Sequence, residues 1–564
     1  MACNFMNMPP DLWKYEEFLK APLRVIEIGR SDRAIATTPS AADLVTASVH
    51  PLADTLVLRE RLRERYWKRQ DPIIDDRMLW RAQTFRHVMH LLPGLSILEL
   101  GSGDGAFTRQ LVKVTRGECR LTTVTFDLDA RRPVGADPAV EFLTSRSLPG
   151  PLEGRRFDFI VAHDLLDKRN AAWLLKEVYA LLVPGGRFLI YESNPWNVIR
   201  RIRQGLRLLL GRRDRRLLLS RPDMYELISE VGFIRVFAVF NDFVYPPLTP
   251  KGVWLLRNLS IILENTPGVR TLAGAILLHA EKPPSSPPTT HPRVSLTIDD
   301  SFMRSVSVVV PCYNEETNVG PLVQRLIELF GDYIHEIVLV NDNSTDATRD
   351  VIEELAGKDA RIRPVHRVAP NGVGRALADG FQVATGKYVL SLDCDFQHLL
   401  PEVRDLFDGI VEGYDVAVGS RFSRHSVLLN YPFAKIVANR AFHMIARIVL
   451  IAGFRDLTNN MKLMRREVVR ELVLREPGFA VNAETGLQPL FMGYRVKEVP
   501  ISWIGRGVEM GASSFRVLKA GRGYCRVLYG LWLWRFLRTG PYRTLRRRFS
   551  AVSDKGAVGL TTTR

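Results

Sequence analysis

A proline-rich stretch near the middle of the chain, Lys282 to Pro292, limits the fold more than any other feature. It contains five prolines together with serine and threonine, and this composition forms an extended, semi-rigid linker and not a packed element. On each side of it, strand-like apolar runs alternate with helix-like segments, which is the pattern of a mostly parallel sheet covered by helices. The sequence therefore predicts an α/β fold with two domains in tandem.

The length of the chain agrees with this division. Its 564 residues are enough for roughly two to four domains, each with a core of its own. The predicted divisions are an N-terminal extension, a first α/β domain, the linker, a second α/β domain and a basic amphipathic C-terminal segment, at 1–75, 76–281, 282–303, 304–516 and 517–564.

The composition describes a folded and strongly basic protein. With 46% hydrophobic and 25% charged residues the chain is not a disordered one, and its net charge is +17. Much of the positive charge lies in two runs that mix arginine with leucine or aromatic residues, Arg200–Arg221 and Arg535–Arg548. Such mixtures suit an anionic membrane surface or a polyanionic substrate, although the first run is equally compatible with a solvated basic face. No nucleic-acid-binding motif is present, so no nucleic-acid partner is predicted.

The cysteines and the apolar runs bear on location. The cysteines are scattered, without metal-ligand spacing, which favours a reducing compartment; they are Cys3, Cys119, Cys312, Cys394 and Cys525. No window reaches the roughly 18 apolar residues of a spanning helix, and the first residues lack the pattern of a signal peptide. We therefore expect a cytoplasmic protein that contacts a membrane at its periphery.

The first domain opens with a glycine-rich turn. An apolar strand from Ser96 enters Glu99-Leu-Gly-Ser-Gly-Asp-Gly105, and a helix follows. Glycines in such a turn allow a sharp bend and a close approach of a ligand to the backbone. A second strand ends in Asp127 about 20 residues further on, where an acid can bind a ribose diol. Tight strand-to-helix turns also arise for packing reasons alone.

With the segment Leu181-Leu-Val-Pro-Gly-Gly-Arg187, these motifs make residues 80–280 resemble the class I S-adenosylmethionine-dependent methyltransferases. The resemblance implies a Rossmann-like fold and S-adenosyl-L-methionine as cofactor. It also implies that the methionine end of the cofactor and its ribose are bound by Glu99, Gly101, Gly103 and Asp127.

The acceptor side of this domain has two candidate residues. His163 and Asp164 follow a buried strand and could supply a base, while a structural role for His163 is an equal alternative. The loop expected to contact adenine, Leu143–Ser147, has no aspartate. A degenerate, non-catalytic binding module is therefore the second interpretation of this domain.

The second domain carries a strand that ends in acids. Side chains alternate along an extended backbone, so Asp393, Asp395 and Gln397 share one side where the strand ends. Three oxygen-bearing groups in this position can hold a hard divalent cation. An acidic turn without a metal is the alternative, and Asp127-Leu-Asp129 is a similar triplet elsewhere in the chain.

The order of motifs in the second domain favours a functional site at this triplet over an acidic turn. The motifs are Val-Pro-Cys-Tyr-Asn-Glu from Val310, Asn-Asp-Asn-Ser-Thr-Asp from Asn341, Asp-Cys-Asp-Phe-Gln-His from Asp393 and Gly-Ser-Arg-Phe from Gly419. Together they make residues 306–516 resemble family 2 glycosyltransferases with the GT-A fold, especially dolichyl-phosphate mannosyltransferases and related polyprenyl-phosphate enzymes.

That resemblance implies specific roles. It places Mg²⁺ or Mn²⁺ on Asp393, Asp395 and Gln397, against the diphosphate of a nucleotide sugar. The nucleotide sugar itself would be bound by Pro311, Tyr313, Glu315, Val340, Asp342, Asp393, Cys394, Asp395, Arg421 and Arg506. Ser514 stands where the mannosyltransferases have a lysine, so the donor is not assumed to carry mannose.

The implied reaction replaces the nucleoside diphosphate at the anomeric carbon with inversion. The metal and Arg421 stabilise the charge that develops on the leaving group, and Asp395 belongs to the catalytic set. A lipid-phosphate acceptor needs no base, whereas a hydroxyl acceptor does. Glu484 is the candidate base, and an acid favoured at a helix start is the alternative.

Three functional hypotheses follow. The first is a bifunctional enzyme that glycosylates a polyprenyl phosphate, glycolipid or glycan and methylates a related substrate. The second is a glycosyltransferase with a non-catalytic S-adenosylmethionine module, and the third is a membrane-attached scaffold with two inactive domains. Val427–Phe454 and Tyr524–Phe536 are predicted interfacial helices, with amphipathic core helices as the alternative.

Overall fold

The computed structural model describes residues 53–67, 72–129, 137, 139–211, 217–244, 249–284, 296–394, 400–423, 425–429, 431, 433–504 and 517–547. Within these ranges the chain forms two seven-stranded sheets and a short two-stranded one. Half of the predicted linker 282–303, from residue 285 to 295, lies outside the described residues, so the domain boundaries stay predictions.

The first sheet has the strand order β3-β2-β1-β4-β5-β7-β6. The first five strands run parallel, and β7 runs antiparallel to both β5 and β6. The elements are α1 (Ala53–Trp67), α2 (Pro72–Met89), β1 (Ser96–Leu100), α3 (Ala106–Thr115), β2 (Arg120–Thr125), β3 (Val140–Thr144), β4 (Phe157–His163), α4 (Ala171–Leu181), β5 (Leu182–Ser193), α5 (Val198–Leu209), α6 (Arg221–Val231), β6 (Ile234–Asn241), α7 (Pro250–Glu264) and β7 (Ala275–Glu281).

Local sequence explains several of these boundaries. Helix α6 starts at a capping box in which Ser220 and Asp223 bond each other's backbone N–H groups. It ends at Gly232, whose φ of 98° suits a glycine. The strands β1, β2 and β4 are almost continuously buried, as expected for parallel strands with helices on both faces.

The second sheet has the strand order β10-β9-β8-β11-β14-β12-β15, and β14 runs antiparallel to its neighbours. Its elements are β8 (Val306–Cys312), α8 (Val319–Phe330), β9 (Ile334–Asn341), α9 (Thr348–Lys358), β10 (Ile362–His366), α10 (Val373–Val383), β11 (Tyr388–Ser391), α11 (Val403–Val411), β12 (Val416–Ser420), β13 (Val427–Leu429), α12 (Phe433–Leu450), β14 (Lys462–Arg465), α13 (Arg466–Glu471), α14 (Val481–Met492), β15 (Val496–Pro500), β16 (Ser502–Ile504) and α15 (Val517–Trp532). Strands β13 and β16 form the two-stranded sheet.

This architecture confirms the predicted fold class. Two α/β domains with Rossmann-like sheets follow each other along the chain, as the two family resemblances of the sequence imply. In both, several consecutive parallel strands present their carboxyl ends at one edge, which is where α/β folds bind their ligands.

Charged side chains join the two domains. Arg86 of α2 forms a two-pronged ion pair with Asp405 of α11, at 2.8 and 2.9 Å. Arg404 forms a similar pair with Glu118, at 2.6 and 2.7 Å. The contact is therefore made by α2, the turn after α3 and the helix α11.

Candidate functional site

The first candidate site lies where the loop Gly101–Gly105 leaves the sheet. Gly101 and Gly103 have φ angles of 70° and 57°, a conformation that glycine adopts without strain. The backbone N–H groups of Gly101 and Ser102 donate to the carbonyl of Val124, at 2.7 and 3.0 Å. The loop is thereby held beside the end of β2, and the predicted pocket elements do lie together.

Helix α1 covers this loop and places a carboxylate on it. Glu60 is fully buried. One of its oxygens accepts from the Gly103 N–H at 2.7 Å and from the Thr125 hydroxyl at 2.8 Å, and the other accepts from the Phe126 N–H at 2.6 Å. Donors that a ligand would meet at the ends of β1 and β2 are thus bonded by the chain itself.

Arginines of α1 donate hydrogen bonds to further groups of the pocket. Arg61 donates to both oxygens of Asp127, at 2.6 and 3.0 Å, and to Asp129 at 2.8 Å. Arg63 donates to the carbonyls of Gly101 and His163. The acid expected to hold ribose hydroxyls is therefore paired with a cation from α1.

S-adenosylmethionine does not fit this arrangement. A Cβ built on Gly103 would overlap the carboxylate of Glu64, so the space against the loop is filled. Burial raises the pKa of Glu64 to about 7, although Arg63 opposes this shift. Glu99 is also buried, accepts from the Thr108 hydroxyl at 2.6 Å and has a pKa raised by burial to about 7. We derive no methyl-transfer step from this pocket.

The two candidate base residues of this domain are held by their neighbours. His163 is buried, its ring stacks on Tyr191 at 5.1 Å, and burial lowers its pKa well below the usual range. Asp164 accepts from the backbone N–H and the hydroxyl of Ser193 at 2.9 and 2.6 Å. These contacts favour the structural alternative for His163.

The second candidate site lies at the ends of β8 and β9. Pro311 of β8 pairs in register with Val340 of β9, and Tyr313 follows with 47% of its surface exposed. The Glu315 N–H donates to the hydroxyl of Thr348 at 2.8 Å, which ties the loop after β8 to the start of α9. Val340 itself is fully buried in an apolar cluster, so its side chain belongs to the core.

Asp342, at the end of β9, is buried and already bonded. Arg367 donates to one of its oxygens, and the Gly372 N–H donates to the other at 2.6 Å. Arg367 also donates to Asp379 at 2.6 Å. The acid predicted to hold the nucleoside is thus fixed by the next strand and by the glycine-rich entry into α10.

Asp393 follows β11, as predicted, and accepts from the side-chain amide of Asn460 at 2.8 Å. Its predicted partners Asp395 and Gln397 lie outside the described residues, as do Arg506 and Ser514. In the described ranges no three His, Cys, Asp or Glu side chains form a metal-binding group. Asp393 is a carboxylate at a strand end, the ligand type that Mg²⁺ and Mn²⁺ prefer, so the described part of the predicted set fits such an ion.

Arg421 is bound by a residue that the sequence did not suggest. Its Nε and Nη2 donate to the two oxygens of Asp456 at 2.8 and 3.0 Å, and Nη2 also donates to Thr458 at 3.1 Å. Burial alone would raise the pKa of Asp456, but Arg421 and His443 hold it well below the usual range. This pair fixes the guanidinium in one orientation.

The contacts of Glu484 favour a packing role over the predicted role as a base, which stays a prediction. Its carboxylate accepts from the N–H groups of Arg475 and Glu476, at 2.9 to 3.3 Å, and from the hydroxyl of Tyr542 at 2.6 Å. A general base needs a lone pair aimed at its substrate, whereas this carboxylate ties a loop and the C-terminal segment to α14. The described geometry therefore favours packing for Glu484.

One further residue near the site, Lys462, was not predicted, and Cys394, which was predicted to bind the nucleotide sugar, is buried. Lys462 of β14 is fully buried, and burial lowers its pKa to about 7; its ammonium donates to the carbonyls of Asn459 and Asn482. Cys394 lies in an apolar cluster, so its side chain belongs to the core. The polar run Asp456-Leu-Thr-Asn-Asn460 contains the partners of Arg421, Lys462 and Asp393, and it is the sequence signal that could have identified them.

Apolar side chains are exposed on the helices predicted to be interfacial. Helices α12 and α15 pack against each other, and their outer surface, with the turns that follow them, exposes Met444, Ile445, Ile448, Ile451, Tyr529, Phe536 and Leu537. We call these residues the α12–α15 surface. No helix in the described part of the chain is both long enough and apolar enough to span a membrane.

Comparison with known families agrees with the two folds. The model of glycosyl transferase family 2 matches residues 307–473, and a methyltransferase-domain model matches residues 98–190. Each match includes the glycine-rich or acidic strand ends described above.

Two characterised proteins are similar to the second domain. Dolichol-phosphate mannosyltransferase of Pyrococcus furiosus is 30% identical over 231 residues, which are 41% of this chain and 64% of that protein. Polyprenol monophosphomannose synthase of Mycolicibacterium smegmatis is 31% identical over 213 residues, which are 36% of this chain and 79% of that protein. The chain thus spans less than two thirds of the length of the Pyrococcus protein.

A solved structure is also similar to the chain. Glucosyl-3-phosphoglycerate synthase of Mycobacterium tuberculosis, in complex with Mn²⁺ and UDP-glucose, is 19% identical, with a TM-score of 0.33 over 41% of this chain and 79% of that one; a TM-score of this size is too low to argue from. The two sequence relatives and the family models carry the conclusion: the chain belongs to the family 2 glycosyltransferases and also contains a methyltransferase domain.

Proposed function

We propose that the chain transfers a sugar from a nucleotide sugar to a polyprenyl-phosphate, glycolipid or glycan acceptor, with inversion and with Mg²⁺ or Mn²⁺. The observation that carries this proposal is the placement of Tyr313, Asp342 and Asp393 directly after three neighbouring strands, β8, β9 and β11. The names of the two sequence relatives support a polyprenyl-phosphate acceptor.

The residues divide the work at this site. Asp393, with Asp395 and Gln397, would hold the metal ion, which would supply positive charge to the departing diphosphate. Tyr313 is the exposed face on which a base or ribose can pack, and Asp342 accepts hydrogen bonds at the end of β9. Arg421, oriented by Asp456, adds a fixed positive charge. A phosphate acceptor is already ionised, so this reaction does not depend on Glu484 as a base.

A peripheral contact with the membrane would bring this site to a lipid acceptor. The α12–α15 surface offers exposed apolar side chains, and the exposed Arg447 and Arg538 and the half-buried Arg535 lie on the same elements. Apolar side chains beside arginine suit the boundary of an anionic bilayer. The cytoplasmic location stays a prediction from the cysteine pattern.

Methyl transfer is the second candidate function. The methyltransferase-domain match and the glycine-rich loop support it, whereas the filled pocket favours a module that does not bind cofactor as it stands. A scaffold with two inactive domains is the third hypothesis, and turnover by either domain would exclude it.

Turnover of labelled nucleotide sugars tests the leading proposal. The purified full-length chain is incubated with a panel of nucleotide sugars, Mn²⁺ and membrane extract, and sugar transfer into the lipid fraction is measured. We expect transfer from at least one donor and its loss on addition of a chelator. Absence of both transfer and hydrolysis with every donor would contradict the proposal.

A further inference from the structure

The inner face of α1 is made of charged residues. Arg59, Glu60, Arg63 and Glu64 are all buried, although burying a charge is costly unless it is paired and hydrogen-bonded. Their partners are groups of the glycine-rich loop and of the strand ends, as described above, and Arg59 pairs with Glu192 at 2.8 Å. Each buried charged residue of α1 therefore has a hydrogen-bond partner in this pocket.

The groups that α1 satisfies are those that a nucleoside-type ligand needs. Glu60 bonds the backbone N–H groups of Gly103 and Phe126, which would otherwise receive acceptor atoms of a ligand. Arg61 pairs with Asp127, which would otherwise accept from a diol. Because each of these N–H groups has one hydrogen to donate, and because Arg61 bonds both oxygens of Asp127, α1 and a ligand compete for these groups.

We propose that α1 is an intramolecular occupant of the cofactor pocket, which competes with S-adenosylmethionine for the loop Gly101–Gly105 and for Asp127. This inference rests on the second candidate function, since it names the ligand class from the methyltransferase match. The methyltransferase domain binds its cofactor only when α1 leaves the pocket.

The contacts of α1 suit a reversible occupant. Among its described residues, Leu56 and Trp67 are buried in apolar clusters and Val57 packs partly buried against one of them, whereas Arg59, Glu60, Arg63 and Glu64 on the inner face are charged. A ligand's polar atoms can replace the charged side chains of α1 as hydrogen-bond partners of the loop and of Asp127. The helix can therefore leave without leaving these groups unpaired. Arg61 is 46% exposed on its side chain, so water and salt weaken its pairs with Asp127 and Asp129.

The test compares two arginines of the same helix. Arg61→Ala removes the pairs with Asp127 and Asp129, whereas Arg65→Ala changes an exposed arginine of α1 for which the structure records no contact. Both full-length variants are titrated calorimetrically with S-adenosylhomocysteine, the stable product of the cofactor. We expect Arg61→Ala to bind about three- to tenfold more tightly than the unmodified chain, and Arg65→Ala to bind like the unmodified chain.

Hydrogen exchange of the unmodified chain supplies an independent readout. Saturating S-adenosylhomocysteine should protect the amides of Gly101–Gly105 and deprotect those of α1, because the ligand and the helix take the same place. A ligand that binds with α1 still protected would overturn the proposal, and so would equal affinities of Arg61→Ala and Arg65→Ala. Failure of both variants to bind would also overturn it.

Sugar transfer separates this proposal from the proposed function. Arg61 lies far along the chain from the second domain, and within the described ranges its hydrogen bonds go to Asp127 and Asp129 of the first domain. Arg61→Ala should therefore transfer sugar at the rate of the unmodified chain. If Arg61→Ala transfers sugar normally but binds S-adenosylhomocysteine no more tightly than the unmodified chain, only the proposed role of α1 is refuted.

Discussion

The candidate sites of the two domains both have an acid at the end of a parallel strand, but the arginine that pairs with the acid comes from a different kind of element in each. In the first, the acid after β2, Asp127, pairs with Arg61 from a helix outside the sheet. In the second, the acid after β9, Asp342, pairs with Arg367 from the end of the neighbouring strand. The first pocket is thus closed by an element that can leave, and the second is fixed by its own sheet.

The comparison shows what an acidic triplet can and cannot indicate. Asp127-Leu-Asp129 and Asp393-Cys-Asp395 have the same spacing, yet α1 covers the first, while Asp393 contacts the side chain of Asn460. Their chemistry is decided by partners that are remote in sequence. Four changes test this contrast.

The largest effect is expected for Asp393→Asn. Loss of one carboxylate charge at the proposed metal site should lower the rate of sugar transfer by about 10²- to 10³-fold. Binding of S-adenosylhomocysteine to Arg61→Ala should be unaffected when Asp393→Asn is added. Asp350→Asn is the control, since Asp350 is an exposed acid of α9. A rate reduced equally by both substitutions would argue against a role for Asp393.

Asp456→Asn should destabilise the second domain. The variant leaves Arg421 without its charged partner in a buried setting, which costs about 3 kcal/mol. Thermal unfolding should show a lowered transition temperature, whereas Glu354→Gln, which breaks an exposed pair with Lys358, should leave the transition temperature nearly unchanged. An unchanged transition in Asp456→Asn would mean that the pair with Arg421 contributes little.

The first pocket should respond to pH through Glu64. Its pKa is raised by burial to about 7 when α1 is in place, and Arg63 and Asp104 are the charged neighbours of the carboxylate. A raised carboxyl pKa means that the docked helix binds the proton more tightly, so docking is favoured at low pH and weakens as pH rises through 7. S-adenosylhomocysteine should therefore bind up to about tenfold more tightly at pH 8 than at pH 6.

Glu64→Gln provides the matched control for this pH effect, because it keeps the shape of the side chain and removes its titration. Affinity that rises with pH equally in Glu64→Gln would assign the effect to another group, and Glu99, whose pKa burial also raises to about 7, would be the next to examine.

The smallest effect is expected for Asp127→Ala. If α1 did not occupy the pocket, Asp127→Ala would only remove a contact with the ligand. With α1 in the pocket, the change also removes the ion pair with Arg61 and so weakens the docking of α1. The two effects on the affinity for the ligand are opposite in sign and offset each other. Titration with S-adenosylhomocysteine should show a change of less than about threefold, and a loss of a hundredfold would indicate that α1 does not compete.

The sequence predicted the elements near each site more accurately than the contacts between them. The glycine-rich turn and the helix after it, the strands before Asp127, Asp342 and Asp393, and the helix after Asp342 lie where the patterns indicated. These features depend on local periodicity and on glycine, which a sequence displays directly.

The pairings could not be predicted, because they join residues that are far apart in the chain. Glu60 meets Gly103 across 43 positions, and Arg421 meets Asp456 across 35. Helix α1 is rich in both arginine and glutamate, and nothing in this composition indicated that its acids enter a pocket. The buried role of Glu484 likewise depends on Tyr542, which lies 58 residues away.

A single set of calorimetric titrations tests the contrast between the two pockets most directly. The unmodified full-length chain is titrated with nucleotide sugars in the presence of Mn²⁺ and, separately, with S-adenosylhomocysteine, and both titrations are repeated on Arg61→Ala. The account predicts that one nucleotide sugar binds both proteins equally, while S-adenosylhomocysteine binds the variant more tightly. Equal affinity of both proteins for S-adenosylhomocysteine, or no binding of any nucleotide sugar, would contradict it.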